Sequence, residues 1–321
     1  MAEKLLEIKN LHVTYKTDEA MIYAVNGLSL VVNKGETLGL VGETGAGKTT
    51  TALSIMKLLP EKIGKITSGE IQLEDFDIIA ASEADMRGIR GNAVSMIFQD
   101  PMTSLNPILK VGEQTLEVIQ LHRKDLNKRE KDERVDEIFR MVELQPERKN
   151  EYPHQFSGGM KQRIVIAMAL ACEPKLLLAD EPTSALDVTI QAQVLELMKE
   201  LKDKFNTSMI LISHDLGVVA QICDRVAVMY AGEIIELGTV EDIFEAKKHH
   251  PYTSGLFGSL PDLTKRTRRL NPIGGVMQTS TELATGCAFS ARCPKVMEIC
   301  KNEKPKDVHF DSHSIKCHLF K

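Results

Sequence analysis

The feature that most constrains this chain is a glycine-rich stretch that lies between an apolar run and a helical pattern. Residues 42–49 read Gly-Glu-Thr-Gly-Ala-Gly-Lys-Thr and match G-x-x-x-x-G-K-S/T at every fixed position. The apolar run at 37–41 predicts a strand covered on both faces, and the pattern at 49–59 predicts a helix. A chance glycine turn would not require this context, so the sequence predicts a phosphate-binding loop in an α/β fold.

The loop carries the groups that binding of a nucleoside triphosphate requires. Its glycines let the backbone curl, so that successive N–H groups point at phosphate oxygens beside the positive end of a helix. We expect Lys48 to reach the β- and γ-phosphates and the Thr49 hydroxyl to ligate Mg²⁺. The predicted ATP-binding residues of the loop are Gly42, Glu43, Thr44, Gly45, Ala46, Gly47, Lys48, Thr49 and Thr50.

Two adjacent carboxylates follow a second apolar run, at 176–179. A buried carboxylate without a counter-charge is costly, and a magnesium ion would supply that charge. We expect Asp180 to hold the metal, directly or through water, and Glu181 to orient and polarise the attacking water. A strand that simply ends in solvent is the alternative, and the phosphate loop elsewhere in the chain favours the metal site.

The rest of the chain alternates between strand and helix patterns. The alternation predicts a mainly parallel α/β core, interrupted by an α-helical insertion at about 100–158. Further strands are predicted at 5–8, 11–15, 27–32, 95–98, 209–212, 226–230 and 233–237, the last two as a hairpin. Further helices are predicted within 111–144 and at 162–171 and 190–205.

Composition narrows the class of protein. Of the 321 residues, 43% are hydrophobic and 26% are charged, so the chain can bury a core and is not mainly disordered. The net charge of −5 argues against nucleic acid as a partner. The longest apolar run, 164–172, is shorter than the ~20 residues of a membrane-spanning helix, and the N-terminus lacks an apolar signal region. The expected compartment is the cytosol.

A third motif carries a resemblance to a known family. Residues 157–162 read Ser-Gly-Gly-Met-Lys-Gln and resemble the LSGGQ signature of ATP-binding-cassette proteins, with Phe156 in place of the leucine and Met160 in place of the glutamine. The retained Ser-Gly-Gly at a helix start can donate hydrogen bonds to a γ-phosphate. Other family elements follow in order, and the similarity extends over about 5–245. These elements are Gln99, Ser184-Ala185-Leu186-Asp187 and His214.

The resemblance implies a P-loop NTPase cassette, with a RecA-like parallel or mixed sheet, a β subdomain and the α-helical insertion. It also implies a head-to-tail sandwich dimer, in which each ATP lies between the phosphate loop of one subunit and Ser157, Gly158 and Gly159 of the other. Gln99 would ligate Mg²⁺, sense the γ-phosphate and relay its state to the insertion. His214 would contact the γ-phosphate and help to hold the water.

The resemblance also implies an aromatic side chain that stacks on adenine. Tyr15 precedes the phosphate loop as this family residue does, and an aromatic face suits a purine. Tyr23 competes for the role, and a plain core tyrosine is the remaining alternative. We favour Tyr15.

Extended forms of two motifs narrow the subfamily. Gln99 is followed by Asp-Pro-Met-Thr-Ser-Leu-Asn-Pro, and Glu181 by Pro-Thr-Ser-Ala-Leu-Asp-Val-Thr. With the long C-terminal segment, these resemble the ATPases of bacterial dipeptide and oligopeptide importers, and nickel importers are the close alternative. Such systems pair two different ATPase subunits with two permease subunits and an external substrate-binding protein. The chain would then be peripheral, at the cytoplasmic face of the cell membrane.

Two alternative functions outside transport fit the sequence less well. A soluble cassette protein of DNA repair or translation would be expected to carry tandem cassettes, a long coiled-coil insertion or basic arms, and the sequence has none of these. A regulatory protein that binds ATP without turnover would not require the carboxylate of Glu181.

A C-terminal segment, 251–321, differs in composition from 1–250 and holds four of the six cysteines. We expect it to form a separate, cysteine-rich appendage to an ATPase domain at 1–250. Their spacing, Cys287-x5-Cys293-x6-Cys300-x16-Cys317, is not that of a zinc ribbon. With a Cys-Pro step it favours a 4Fe–4S cluster first, zinc second and inert thiols third. His309, His313 and His318 are possible replacement ligands that we expect to be solvated, and the two other cysteines, Cys172 and Cys223, are expected to be buried as small hydrophobes.

Overall fold

The computed structural model of the chain describes residues 3–184, 186–259, 273–275 and 281–320. Strands within this part of the chain are β1 (Lys4–Lys16), β2 (Met21–Asn33), β3 (Thr37–Val41), β4 (Gly64–Leu73), β5 (Phe76–Asp77), β6 (Val94–Ile97), β7 (Leu176–Asp180), β8 (Ser208–Ile212), β9 (Arg225–Tyr230), β10 (Glu233–Thr239), β11 (Asp307–Phe310) and β12 (His313–Lys316).

The α-helices are α1 (Lys48–Ile55), α2 (Glu83–Ile89), α3 (Pro101–Ser104), α4 (Val111–His122), α5 (Lys128–Met141), α6 (Gly158–Leu170), α7 (Val188–Phe205), α8 (Leu216–Ile222), α9 (Val240–Phe244), α10 (Pro251–Gly258) and α11 (Glu298–Asn302). Short 3-10 turns lie at Pro146–Asn150, Pro153–Gln155, Ser290–Arg292 and His318–Phe320.

The described residues form two compact units. The first comprises those of Met1–Leu6, Val31–Thr37 and Leu73–Ile212. Its strands β6, β7 and β8 lie side by side and parallel, and every residue of the three strands is buried. This burial explains why the strands read as apolar runs without alternation. Helices α4, α5 and α6 pack against one another, so the predicted insertion is helical in the structure.

The second unit comprises the described residues of Glu7–Leu30, Leu38–Gln72 and Ser213–Lys321. In it, β3 pairs in parallel with β9, which forms the predicted antiparallel hairpin with β10. The C-terminal hairpin of β11 and β12 pairs with β10, so it extends the sheet that carries the phosphate loop. We expected a separate appendage here, and the backbone hydrogen bonds of β12 instead make this part of it continuous with that sheet.

A second sheet of this unit contains parts of β1, β2 and β4, in the order β2-β1-β4. The sequence predicted two strands at 5–8 and 11–15, whereas the structure has the single strand β1. The break was predicted near Asn10, whose φ is +47°. Asparagine tolerates this left-handed conformation, and the Asn10 N–H donates to Ser29 Oγ at 3.0 Å, so the strand continues through it.

The helical pattern at 111–144 is two helices, because a capping box starts a new one. The Asn127 side chain accepts from the N–H groups of Arg129 and Glu130, and the Glu130 carboxylate accepts from the Asn127 N–H at 2.7 Å. These bonds satisfy backbone N–H groups at the start of a helix. In an uninterrupted helix the same groups would bond to carbonyls of the preceding turn. Within the described residues, no helix is both long enough and apolar enough to span a bilayer.

Candidate functional site

The phosphate loop connects β3 to α1 and passes very close to neighbouring backbone. A Cβ added to Gly42, whose φ is +151°, would lie 2.2 Å from the Met229 carbonyl oxygen. A Cβ added to Gly47, whose φ is +102°, would lie 2.4 Å from the Ala24 carbonyl oxygen. Backbone cannot yield as a side chain can, so these two positions require glycine.

Lys48 begins α1 and is only 7% exposed. Its ammonium donates to the carbonyl oxygens of Gly42 at 2.7 Å and Glu43 at 3.0 Å. The loop therefore curls around the lysine that the motif supplies, and a positive charge lies at its centre. Thr44, Gly45 and Thr49 are exposed, whereas Ala46 is buried.

Tyr15 contacts the helix that follows the loop. Its hydroxyl donates to Thr50 Oγ1 at 3.2 Å, and its ring lies so close to Gly64 that an added Cβ there would be 2.9 Å from Tyr15 Cε1. Tyr23 is half-buried, as Tyr15 is. The bond to Thr50 ties Tyr15 to α1, and the choice between Tyr15 and Tyr23 stays a prediction.

The carboxylate pair lies at the end of β7, in the first unit. Asp180 is 3% exposed, and the half-buried Glu181 has a φ of +46°. The Glu181 N–H donates to the Ile212 carbonyl at 2.9 Å, which fixes the turn. A non-glycine residue in this region of φ is strained, and such strain is concentrated at functional sites. The chain therefore changes direction between the two carboxylates.

Gln99 lies within hydrogen-bonding distance of Glu181. Its side-chain amide donates to Glu181 Oε2 at 2.9 Å, and its backbone carbonyl accepts from the Ser184 hydroxyl at 3.5 Å. Three of the family elements of this unit are thus linked by hydrogen bonds. Ala185, in the same run as Ser184, lies outside the described residues.

The Ser-Gly-Gly turn starts α6 and leaves its backbone accessible. Ser157 and Gly158 are exposed, and the Ser157 side chain accepts from the Met160 N–H at 3.4 Å. A Cβ added to Gly159 would lie 2.5 Å from Ile190 Cγ2. The turn is therefore packed on one side by the first turn of α7 and open at the start of α6, where helix N–H groups can bind an anion.

His214 lies in the second unit, between β8 and α8, and is exposed. The neighbouring Asp215 accepts from the Gly217 N–H at 2.9 Å and caps α8. The backbone at His214 is thus fixed by the helix that follows it.

The six cysteines, all in the described part of the chain, are free thiols. Cys172 and Cys223 are buried, as predicted. In the C-terminal segment, burial, together with the nearby thiols of Cys317, Cys300 and Cys293, raises the pKa of Cys287 to about 11. The Cys287 N–H donates to the Cys300 carbonyl at 2.8 Å. The fold thus brings these four thiols into one neighbourhood.

The second unit also contains a buried carboxylate–histidine cluster that no local sequence pattern predicts. Glu236 Oε1 accepts from His249 Nδ1 and from His313 Nε2, both at 2.8 Å, and Glu236 Oε2 accepts from the His250 N–H at 2.7 Å. Our expectation that His313 is solvated is therefore wrong, since it is 4% exposed. Burial opposes ionisation of Glu236, but these hydrogen bonds hold its pKa at about 2.

Comparisons with known proteins agree with this geometry. Residues 25–184 match the ABC transporter family, and residues 235–300 match the oligopeptide/dipeptide transporter C-terminal region. The dipeptide transport ATP-binding protein DppD of Bacillus subtilis is 51% identical over 320 residues, which are 99% of this chain and 95% of DppD. The oligopeptide transport ATP-binding protein AppD of the same organism is 50% identical over 319 residues, 98% of this chain and 97% of AppD.

Solved structures show the same cassette fold. The dimeric ATP-binding cassette MJ0796, in a post-hydrolysis state bound to ADP and Pi, superimposes with a TM-score of 0.65 at 30% identity over 73% of this chain and 98% of that one. The cassette cbiO1 of Clostridium perfringens gives a TM-score of 0.64 at 26% identity, over 76% and 92% of the two chains. Fold and motifs together define a P-loop ATP-binding cassette. The chain belongs to the ABC transporter ATPases that carry the oligopeptide/dipeptide transporter C-terminal region.

Proposed function

We propose that the chain hydrolyses ATP to energise the import of dipeptides or oligopeptides through a partner membrane permease. The main support is that similarity to DppD extends over 99% of this chain and so includes the C-terminal region as well as the cassette. Nucleic acid is not a partner in this proposal, because the net charge of −5 argues against it.

In this proposal the loop Gly42–Thr49, with Thr50, cradles the triphosphate through its N–H groups and Lys48. The lysine exchanges the carbonyls of Gly42 and Glu43 for phosphate oxygens when nucleotide binds. Tyr15 stacks on the adenine, and the hydrogen bond of its hydroxyl to Thr50 holds it at α1.

The oxygen ligands for Mg²⁺ would be the Thr49 hydroxyl, the Asp180 carboxylate and the Gln99 side-chain carbonyl, and hard oxygen donors of this kind fit the ion. When bound, Mg²⁺ neutralises charge that develops on the phosphates. Glu181 accepts a proton from the attacking water, and its hydrogen bond to Gln99 orients the carboxylate. His214 holds the water and contacts the γ-phosphate.

The exposed Ser157 and Gly158, with the half-buried Gly159, serve the nucleotide of a second ATPase subunit, a different chain, in a head-to-tail dimer. The dimeric state of the related cassette MJ0796 supports this arrangement. The dimer in turn contacts two permease subunits and acts indirectly with an extracellular substrate-binding protein. This places the chain as a peripheral protein at the cytoplasmic face of the membrane.

Reconstitution tests the proposal. The chain, its partner ATPase and the two permeases would be placed in proteoliposomes with the substrate-binding protein. Adding dipeptide should stimulate ATP hydrolysis, and Lys48→Ala should abolish the stimulation. Stimulation by Ni²⁺ but not by peptide would overturn the peptide assignment in favour of a nickel importer. Stimulation that survives Lys48→Ala would overturn the ATP site.

For the segment 251–321, proposed as a C-terminal extension of the ATPase domain 1–250, we infer a metal centre of four thiolates. Cys287 and Cys293 are half-buried, Cys300 and Cys317 are buried, and sulfur donors suit an iron–sulfur cluster or zinc. We favour a 4Fe–4S cluster over zinc, because the irregular spacing of the four cysteines, with the Cys293-Pro294 step, is not that of a zinc ribbon.

Anaerobic purification distinguishes the two metals. A 4Fe–4S centre gives broad visible absorption with matching iron and sulfide contents, and Cys300→Ser should abolish both. Cys172→Ala, a buried cysteine of the other unit, is the matched control and should leave them unchanged. Stoichiometric zinc without iron would reject the cluster.

A further inference from the structure

Glu43, the second residue of the phosphate loop, forms a two-point ion pair with a residue far along the chain. Arg292 Nη1 lies 2.7 Å from Glu43 Oε2, and Arg292 Nη2 lies 3.0 Å from Glu43 Oε1. The Arg292 side chain is 8% exposed and that of Glu43 is 29% exposed. A paired, largely buried contact of this geometry is stronger and more directional than an ordinary surface salt bridge.

Arg292 is itself held in place. Its Nε donates to the Gly274 carbonyl at 2.9 Å, its Nη1 donates to the Tyr230 hydroxyl at 3.4 Å, and its guanidinium lies 5.8 Å from the centre of the Tyr230 ring. Because Gly274 and Tyr230 already hold the guanidinium, little further ordering is needed for it to bind Glu43.

The main chain of Glu43 is held as well. Its N–H donates to the Tyr252 hydroxyl at 2.8 Å. Tyr252 is fully buried, and its ring packs edge-on against Tyr230 at 4.7 Å and Phe289 at 5.4 Å between centroids. Burial raises the pKa of the Tyr252 phenol above its usual range, so the hydroxyl stays neutral and can accept this hydrogen bond.

We propose that Arg292 and Tyr252 are positioning residues that hold the phosphate loop ready for nucleotide. This inference rests on the proposed role of the loop as the triphosphate site. Neither residue needs to touch ATP. Tyr252 fixes the backbone where the loop leaves Gly42, and Arg292 fixes and neutralises the one carboxylate within the loop. The C-terminal region thereby contributes to ATP affinity.

Because Glu43 is negatively charged, variants of Glu43 and of Arg292 should differ in their affinity for ATP. Arg292→Gln frees the loop and leaves a carboxylate beside the incoming phosphates, so two effects weaken binding. Glu43→Gln frees the loop but removes the repelling charge. The double variant, Glu43→Gln with Arg292→Gln, removes the repulsion and should therefore bind ATP more tightly than Arg292→Gln alone. A double-mutant cycle of these variants therefore measures the coupling between Glu43 and Arg292 in ATP binding.

The experiment measures the dissociation constant of a fluorescent ATP analogue for the full chain, with KM and kcat for ATP hydrolysis in the assembled transporter. Arg292→Gln should weaken binding about ten-fold, and should raise KM more than it lowers kcat. Tyr252→Phe keeps the packed ring and should weaken binding by a few-fold. Thermal unfolding of each variant shows whether it is folded.

Lys301→Gln is the matched control, since Lys301 is 59% exposed, pairs with Glu298 at 3.1 Å in the same unit, and should leave ATP affinity unchanged. Lys48→Ala is the reference. If it abolishes binding while folded Arg292→Gln binds ATP as the wild type does, the positioning role is rejected and the ATP site stands. If Lys48→Ala binds normally, the proposed ATP site itself is wrong. Equal weakening in Arg292→Gln and in the double variant would reject the charge argument.

Discussion

The side-chain amide of Gln99 donates to the carboxylate of Glu181 at 2.9 Å, although 82 residues separate the two in the chain. Gln99 is the second residue after β6, and Glu181 is the first residue after β7. These two strands are parallel neighbours, so their carboxyl ends meet at one edge of the sheet. Ligand sites of open α/β sheets lie at this edge, so the contact supports a catalytic role for Glu181.

Glu181→Gln should slow ATP hydrolysis by about 100-fold or more while ATP binding is retained, because the amide cannot accept the proton of water. The variant still offers a carbonyl to Gln99, so the fold at the end of β7 should persist. Single-turnover hydrolysis and equilibrium binding on the same preparation measure the two effects. Undiminished hydrolysis would remove Glu181 from the role of general base.

Gly47→Ala should abolish nucleotide binding and reduce the free energy of unfolding by on the order of 2 kcal/mol. The added Cβ would meet the Ala24 carbonyl oxygen at 2.4 Å, on a residue whose φ is +102°. Gly88→Ala is the control, because Gly88 lies in α2 with nothing within 4 Å of an added Cβ. It should stabilise the protein by about 0.5–1 kcal/mol. Denaturant unfolding of both variants tests this contrast, and equal effects would contradict it.

Ser157→Ala should reduce ATP turnover in the assembled transporter but leave ATP affinity of the isolated chain unchanged, since we assign Ser157 to the nucleotide of the other subunit. Loss of this cap of α6 should also cost about 1 kcal/mol of stability. The effect on ATP affinity is measured with the isolated chain, and the effect on turnover is measured with the assembled transporter. Weakened binding in the isolated chain would contradict the head-to-tail dimer.

The cluster of Glu236, His249 and His313 predicts a particular pH dependence of stability. The pKa of His249 is raised above 6.5, chiefly by its hydrogen bond to Glu236. Protonated His249 therefore contributes its full stabilisation of the fold below pH 6.5. This stabilisation is lost as the pH rises through the raised pKa of His249 in the folded state. Glu236, with its pKa lowered to about 2, contributes above its ordinary value of 4.5 and loses that contribution as the pH falls toward 2.

Thermal unfolding of the wild type and of His249→Gln between pH 5 and pH 9 checks this sign. The unfolding temperature of the wild type should exceed that of the variant most at pH 5, and the difference between the two temperatures should narrow as the pH rises. A constant difference across the range would mean that His249 is neutral throughout and only packs in the cluster.

The parts of the molecule that the sequence predicted well depend on local signals. The phosphate loop has a fixed spacing, β7 is an apolar run that ends in two acids, and the turn Ala231-Gly232 marks the hairpin of β9 and β10. Each of these features is determined by residues within a few positions of one another. Local steric and hydrophobic rules are sufficient there.

What the sequence could not provide are the contacts between distant segments. Arg292 meets Glu43 across 249 positions, and His313 meets Glu236 across 77. Composition does not distinguish such an arginine or histidine from a solvated one. The burial of His313 depends on the pairing of β12 with β10, and that of Arg292 on its contacts with Glu43, Gly274 and Tyr230. The roles of the site residues and the division at residue 250 stay predictions.

The most direct test of the account is a crystal structure of the chain with a non-hydrolysable ATP analogue and Mg²⁺. We predict that the phosphates lie within the loop 42–49, that Lys48 Nζ leaves the Gly42 carbonyl to bind them, and that the metal contacts the Thr49 hydroxyl. A nucleotide bound elsewhere, with Lys48 still donating to the carbonyls of Gly42 and Glu43, would contradict it.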